Sequence, residues 1–528
     1  MKIPPATNVI VLSSLLLALN LTPIIIANPI PLLNRTWYVD DDNVDGPWDG
    51  TLEHPYQHIN DATVNVSAND TVYVFNGTYH EQVYMETPVK LLGENKFTTI
   101  IDGGGVSGST VVCHAYYITV KGFTITNSGH WPGDAGVWIT DKYAHHSAYD
   151  IIEDNLITRN TGGSINIYDT SSFNKFENNT IKDNAGGLAV SGSNNRFVRN
   201  ILINDSMRAG GTGSAFDSNS IQNGSLTIYD IDSGSISNNT FSDGASMSLT
   251  STPIPIVNNS FVHAKGITIS GELEELEKCT MQGNTIDGRP IYYWCQHSND
   301  AIPTNASEII AVDCSKVHIE DLTISDSYGI TTISCNQMTI ANNTLTNTDG
   351  ITILSSPHCT VAHNTLTDSS LSLYDSNSCS VLSNTLSGGS MVSTKCSFTS
   401  YQDNSIRNVS TAGIYVIEGK LNTIQSNVIA HTKVAVELNS TLLTTVASND
   451  FIDSSWRDAY FIATGLLRSK NTWQDNYWEA PSDYPVIIHG IFNTHFTIPG
   501  NLHDTFWPII NIDKSPAKMQ HSFQADQS

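Results

Sequence analysis

Cys359–Ser370 reads CTVAHNTLTDSS, and the Asn-Thr-Leu inside it, which begins at Asn364, also begins at Asn343 and Asn384. A looser phrase is an apolar residue, two or three others, Asn, one more residue and a second apolar one. It recurs at Asn155, Asn179, Asn200, Asn219, Asn239, Asn259, Asn284, Asn404, Asn427 and Asn449. Gly122 (KGFTIT) and Asp321 (IEDLTI) are expected to fill the same slot. Steps are 19 to 25 residues, apart from 33 between Gly122 and Asn155 and 37 into Asp321, so insertions are expected at those two places. Internal repetition at such a period signals a stacked architecture.

Within a repeat the apolar residues alternate, as in SIQNGSLTIYDIDSGSISNNTF from Ser220, and Gly often opens a second run, as in GGSINIY and DGITIL. Period-two alternation marks half-buried strands. Two or three strands of three to five residues per coil cannot bury their apolar side alone, so coils must stack. The expectation is an all-β, single-stranded right-handed parallel β-helix solenoid of about 15 coils. At roughly 4.8 Å per coil this makes a rod of roughly 70 Å. A leucine-rich repeat would need a Leu lattice and a helical return, and the chain has neither.

This frame gives the repeated Asn a structural job. An Asn at a tight bend can take a left-handed backbone and bond its own turn. Stacked over many coils, the amides can form a ladder. Leu345, Leu366 and Leu386, two places on, should point inward.

Acidic residues outnumber basic ones 51 to 25, giving a net charge of −26, while charged residues make up only 14% of the 528. That balance excludes nucleic acid as a partner, since phosphate needs a cationic face. It suits an extracytoplasmic protein, secreted or at the cell surface. Lys2 precedes VIVLSSLLLALNLTPIIIA, so residues 1–27 read as a signal peptide, with an uncleaved anchor as the alternative and the only route to a membrane. Residues 28–105 should form the N-terminal cap and first coils, 106–470 the repeats with insertions near 128–149 and 288–307, and 471–528 the last coil, cap and tail. Sequons at Asn34, Asn65, Asn69, Asn76, Asn204, Asn223, Asn305, Asn408 and Asn439 fit an exported surface.

The eight cysteines fall into columns: Cys279, Cys359 and Cys379 stand five residues before the repeat Asn, Cys335 and Cys396 eight before it. They read mostly as free thiols filling core slots, with inter-coil disulfides the alternative in an exported protein. Asp41, Asn43 and Asp45 resemble the start of a Ca²⁺ loop, but Leu52 stands at the twelfth position where the bidentate Glu belongs. Ca²⁺ is thus the one candidate cofactor, beside the alternative of an acidic turn capping the first coil.

Binding chemistry is sought where the interval breaks. The insertion NSGHWPGDAGVWITDKYAHHSAYD offers His130, Trp131, Asp134, Trp138, Asp141, His145 and His146. Aromatic faces stack on sugar rings and carboxylates hold hydroxyls. The second insertion, RPIYYWCQHSNDAIPTNA, adds Tyr292, Tyr293 and Trp294, which can equally cover exposed core.

Three stretches, GTLEHPYQHINDA from Gly50, NDTVYVFNGTYHEQV from Asn69 and VKLLGENKFTTIIDGGG from Val89, resemble the first coils of pectin-lyase-like right-handed β-helix proteins. NTIDGRPIYYW from Asn284, followed by EIIAVDCSKVHIEDLTIS, is similar to the periplasmic copper-binding NosD family, whose repeats belong to the carbohydrate-binding and sugar hydrolysis class. NTWQDNYWEAPSDYPVIIHG and INIDKSPA resemble the last coil and cap of archaeal exported members. The resemblance implies the fold and, by its domain class, sugar as ligand. Met and His do not cluster as copper transport requires, so copper is not expected. No signature of a pectate lyase, polygalacturonase, pectinesterase or mannuronate epimerase is present, and catalytic residues stay unassigned.

The sequence thus points to an exported β-helix that binds polysaccharide or a cell-surface glycan. The rival readings are a polysaccharide lyase or glycoside hydrolase, a structural or adhesive surface module, and a NosD-type copper-handling protein. The enzyme reading needs two or more acids from neighbouring coils converging beside the His130–His146 insertion.

Overall fold

The computed structural model describes residues 34–140, 147–168, 171–464, 470–479, 485–498 and 501–521. The segment expected to be a signal peptide lies outside these, as do Asp141, His145 and His146. Among the described residues no helix is long and apolar enough to cross a membrane.

The expected right-handed parallel β-solenoid is present, with about 18 turns where about 15 were expected. The repeat Asn recognised in the sequence runs from Asn155 to Asn449, but coils stack before it, from Thr36–Val39, and after it, through Thr472–Gln474. A typical coil has a first strand Lys175–Glu177, a second strand Thr180–Lys182 and a third strand Leu188–Val190, each parallel to its equivalents one coil away. Alternate residues fill the interior. Leu345, Leu366 and Leu386 are fully buried in register, and Phe176, Phe197 and Phe216 stack at 4.8 and 5.2 Å.

The repeat Asn sits at the bend between first and second strands and faces the interior. Asn364 Nδ2 donates to the Ile340 carbonyl one coil back (2.9 Å) and to Asn384 Oδ1 one coil on (2.9 Å). Its Oδ1 accepts the backbone N–H and the Nδ2 of Asn343. The same bonds link Asn155 through Asn179, Asn200, Asn219, Asn239 and Asn259 to Asn284, and Asn343 through Asn404, Asn427 and Asn449 to Asn476. Every polar atom of these buried amides is therefore paired. The left-handed backbone expected of the ladder Asn belongs instead to the residue before it: His363 and Ser383 have φ of 58° and 52°. That residue turns the chain, which leaves the next side chain free to point inward.

Two slots need correction. Strand register places Phe123 opposite Asn155 and Leu322 opposite Asn343, so Gly122 and Asp321 are the turn residues one step earlier. Phe123 and Leu322 each donate only a backbone N–H to the next Asn. The first rung of a ladder has no earlier amide to satisfy, so its side chain can be apolar.

The solenoid is divided in two. Thr285–Ile286 and Arg289–Cys295 pair antiparallel through Asp287-Gly288, the kind of dipeptide that tight hairpins favour. Arg289–Cys295 then pairs parallel with Glu308–Val312, which opens a second stack with its own core. Parity shows how the stacks join. Ile291, Tyr293, Cys295, Ile310 and Val312 pack on the first core, while Tyr292, Trp294, Ile309 and Ala311 pack on the second. The Glu308–Val312 strand is consequently buried along its whole length.

All eight cysteines are free, and all but Cys295 are buried. Cys335 and Cys396 take the corner position that Ser356 and Ser376 hold in the coils between them, accepting a backbone N–H from the preceding coil.

Candidate functional site

The first insertion builds a groove. Asp134 Oδ2 accepts N–H bonds from Trp131 (3.1 Å) and Gly108 (3.0 Å), which folds residues 131–134 into a projecting turn. Asn166 on the next coil donates to the Gly133 carbonyl (3.2 Å) and ties that turn down. The coils beside it carry Gly162-Gly163 and Gly186-Gly187, and a Cβ on Gly162 would lie 2.1 Å from the Asp134 carbonyl oxygen. Small residues below a projecting turn leave a depression of about 350 Å³, lined by His130, Trp131, Asp134 and Asn166 among others. Trp131 is 60% exposed and its ring lies 6.0 Å from that of His130.

Trp138 stands on the outer face of a third strand, directly opposite Asn166. Its ring lies 5.9 Å from that of the exposed Tyr168. The row continues through Ala189 to Arg208, whose guanidinium lies 5.1 Å over the Tyr229 ring. Of the expected residues here, the structure brings His130, Trp131, Asp134 and Trp138 to one neighbourhood. Asp134 serves the turn through its bonds to backbone.

Tyr292, Tyr293 and Trp294 are not part of this neighbourhood. Six strand-to-strand steps, roughly 29 Å at 4.8 Å each, separate the Trp138 strand from Gly266–Ser270, where the first stack ends. Tyr293 donates its hydroxyl to the Leu276 carbonyl, Tyr292 bonds Asn305 (2.9 Å), and Trp294 stacks on His297 at 4.2 Å. These side chains cover core where the stacks meet, one of the two roles expected of them.

The expected cation loop is also rearranged. Asn43 Nδ2 donates to the Pro55 carbonyl (2.7 Å), which turns its donor side toward protein, and Asp45 is exposed. The side chains that converge are Asp40, Asp41 and Asp42, whose ligand oxygens all lie within 4.8 Å of one another. Asp41 Oδ2 also accepts the Thr78 N–H (2.9 Å), and Asp40 Oδ1 the Asp42 N–H (3.1 Å).

A second concavity, of about 630 Å³, lies between the stacks. His263, Lys265 and Asp287 line it from the first stack; Asp326, Asn347, Asp349 and Asp368 from the second. Asp326, Asn347 and Asp368 hold the same left-handed bend on successive coils, with φ of 54°, 53° and 47°. Asn347 donates to Asp326 (2.6 Å), and Lys265 Nζ lies 4.0 Å from Asp349. Asp349 is shared with a smaller adjoining cavity of about 200 Å³ that also takes in Thr268, Glu308, Tyr328, Thr331 and Thr352. Converging acids are what the enzyme reading required, but they stand at the junction rather than beside the first insertion. The sequence signal was the recurrence of Asp326, Asn347 and Asp368 at a 21-residue step. The facing wall is set by the Asp287-Gly288 reversal.

Residues 52–219 match the family described as right handed beta helix region, and residues 264–502 the family described as periplasmic copper-binding protein (NosD). The first match lies within the first stack, and the second begins at that stack's last strands and runs through the second stack. No curated protein matches the chain. Similar solved structures include a pectin methylesterase from Erwinia chrysanthemi, 11% identical, over 52% of this chain and 93% of that one, at a TM-score of 0.29. A periplasmic alginate epimerase is 10% identical over 51% of this chain and 70% of its own, at a TM-score of 0.30.

Proposed function

We propose that this pectin-lyase-like parallel β-helix is an extracytoplasmic glycan-binding protein, with an extended polysaccharide seated in the Trp131–Asn166 groove and running onto the Trp138–Tyr168 rings. One observation carries the reading. An exposed indole stands over a floor of glycine and alanine, and a ring row continues the surface. Sugars bind through ring stacking on such faces, with a few fixed polar groups setting orientation. Retention of the protein on a polysaccharide panel tests it. Trp131→Ala should weaken binding about tenfold, about 1.4 kcal/mol, at an unchanged melting temperature. Retention equal to the wild type would remove the groove from the account.

A second reading is favoured by the junction cleft: glycan cleavage, with Asp326, Asp349 and Asp368 from neighbouring coils facing Lys265 and His263. Hydrolysis needs paired carboxylates and elimination needs a base beside charge stabilisation. New reducing ends or unsaturated products from the panel, abolished by Asp349→Asn, would support it. A panel with no product, with and without Ca²⁺, would leave binding alone.

A further inference from the structure

The first stack ends in an unusual way. Gly266–Ser270 is the last strand of a nine-stranded sheet, and a parallel sheet normally satisfies that edge with the next coil. Here the chain reverses at Asp287-Gly288, and a side chain from the second stack takes the place of backbone. Glu308 Oε1 accepts the Ile267 N–H of the first stack (3.0 Å), and Oε2 accepts the Tyr328 N–H of the second (3.2 Å). The site is built for this carboxyl. Gly266 has φ of 106°, and a Cβ on it would lie 2.2 Å from Glu308 Oε2. Glu308 is 1% exposed.

The groups facing it come from three elements. Lys265 precedes the first-stack strand, Tyr328 precedes Ile330–Ile333, and Asp349 precedes Gly350–Leu354. Lys265 Nζ is 4.0 Å from Asp349, with both side chains more than half exposed, and 5.9 Å from the Tyr328 ring centroid. His263, Asp287, Asp326 and Asp368 line the outer part of the cleft. Burial raises the Glu308 carboxyl to about 8; the two donated N–H bonds oppose this and Asp349 adds to it. A neutral carboxyl keeps both contacts, one at its carbonyl oxygen and a weaker one at its hydroxyl oxygen, and places no charge between two apolar cores. An ionised one is driven toward water.

We propose that closure of the junction cleft is coupled to a proton on Glu308: with the carboxyl neutral it clamps the edge of the first stack to the second, and with the carboxyl ionised the clamp loosens and the cleft opens. Glu308 is a gating residue that touches no substrate. The consequence, that ligand entry to the cleft rises in alkaline solution, rests on the reading of the cleft as a glycan-cleaving site; the clamp does not.

Amide hydrogen exchange of the full chain without glycan tests the clamp alone. From about pH 6 to about pH 9.5, exchange at Ile267 and Tyr328, corrected for the intrinsic rate, should speed up about tenfold with a midpoint near 8. Amides of the Asn364 coil should show no such step. Asp349→Asn removes the repelling charge and should move the midpoint to lower pH. Glu308→Gln removes the step, although its single acceptor leaves one N–H unpaired and raises exchange at all pH. Flat corrected rates in the wild type, or a step that survives in Glu308→Gln, would overturn the proposal. Failure of the glycan panel with the step intact would dismiss cleavage and leave the clamp standing.

Discussion

Replacing Asn364 by Ala tests whether the repeated Asn is scaffold. The side chain makes four bonds: two from Nδ2, to the Ile340 carbonyl and Asn384 Oδ1, and two to Oδ1, from the N–H and Nδ2 of Asn343. All four residues are at most 1% exposed, so water cannot replace these bonds. At about 1 kcal/mol per bond the loss is about 4 kcal/mol, most of it from the stranded Asn343 N–H and Ile340 carbonyl. For a cooperative unit the size of the second stack this lowers Tm by about 10 °C. Thermal melting followed by circular dichroism measures it, with polysaccharide retention alongside at a temperature below both melts. Asn364→Asp sharpens the test. The carboxylate keeps both acceptor bonds but presents a charge to the Ile340 carbonyl and Asn384 Oδ1, with no proton to share. At neutral pH it should melt no higher than the Ala variant and recover on acidification, when the carboxyl regains a donor. An unchanged Tm in Asn364→Ala, or lost glycan retention at unchanged Tm, would refute the ladder as scaffold.

Two further outcomes follow from the packing. Tyr293→Phe removes the hydroxyl bond to the Leu276 carbonyl at the stack junction; thermal melting should show a loss of about 1 kcal/mol with glycan retention unchanged. A fall in retention would return Tyr293 to the binding surface. Burial raises Asp205 to about 6 from 3.8, so the folded state holds a proton the unfolded chain has released. Stability should therefore fall as pH rises from about 4 to about 6, and Asp205→Asn should flatten that part of a urea-denaturation profile. An unaltered slope would place the titration elsewhere.

The ladders also explain which parts of the fold a reader of the sequence finds. An amide in mid-ladder must donate to one coil and accept from another, and Asn at this bend does both; hence the phrase at Asn343, Asn364 and Asn384. At the start only a backbone N–H is needed, so Phe123 and Leu322 serve, and an eye searching for Asn settles on the polar turn residues Gly122 and Asp321 instead. At the end only an acceptor is needed, so a carboxylate serves. Asp205 closes the short ladder from Asn160 and Asn184, and Asp513 closes the long one, accepting from Asn476 and the Trp478 indole. Coils before Asn155 and after Asn449 carry few repeat amides, so the amide spacing alone predicts about 15 coils where the solenoid has about 18 turns.

The sites divide along a similar line. The groove at Trp131 was legible because its parts lie close in sequence: the turn 129–134 breaks the interval, and Gly162-Gly163 opens the next coil. The junction cleft was not, because its walls are about 40 to 105 residues apart in sequence and meet only through one reversal. Read as a loop, RPIYYWCQHSNDAIPTNA offers three aromatic side chains to solvent. Once Asp287-Gly288 is taken as a hairpin, period-two parity sends Tyr293 to one core and Tyr292 and Trp294 to the other. The same reversal removes the next coil from the Gly266–Ser270 edge, and EIIAV, apolar on both faces, must then be an interior strand whose opening Glu is buried with it. Glu308 is therefore an acid that the break in the solenoid places where a backbone strand would otherwise lie, and its proton is the cheapest way to keep that position neutral.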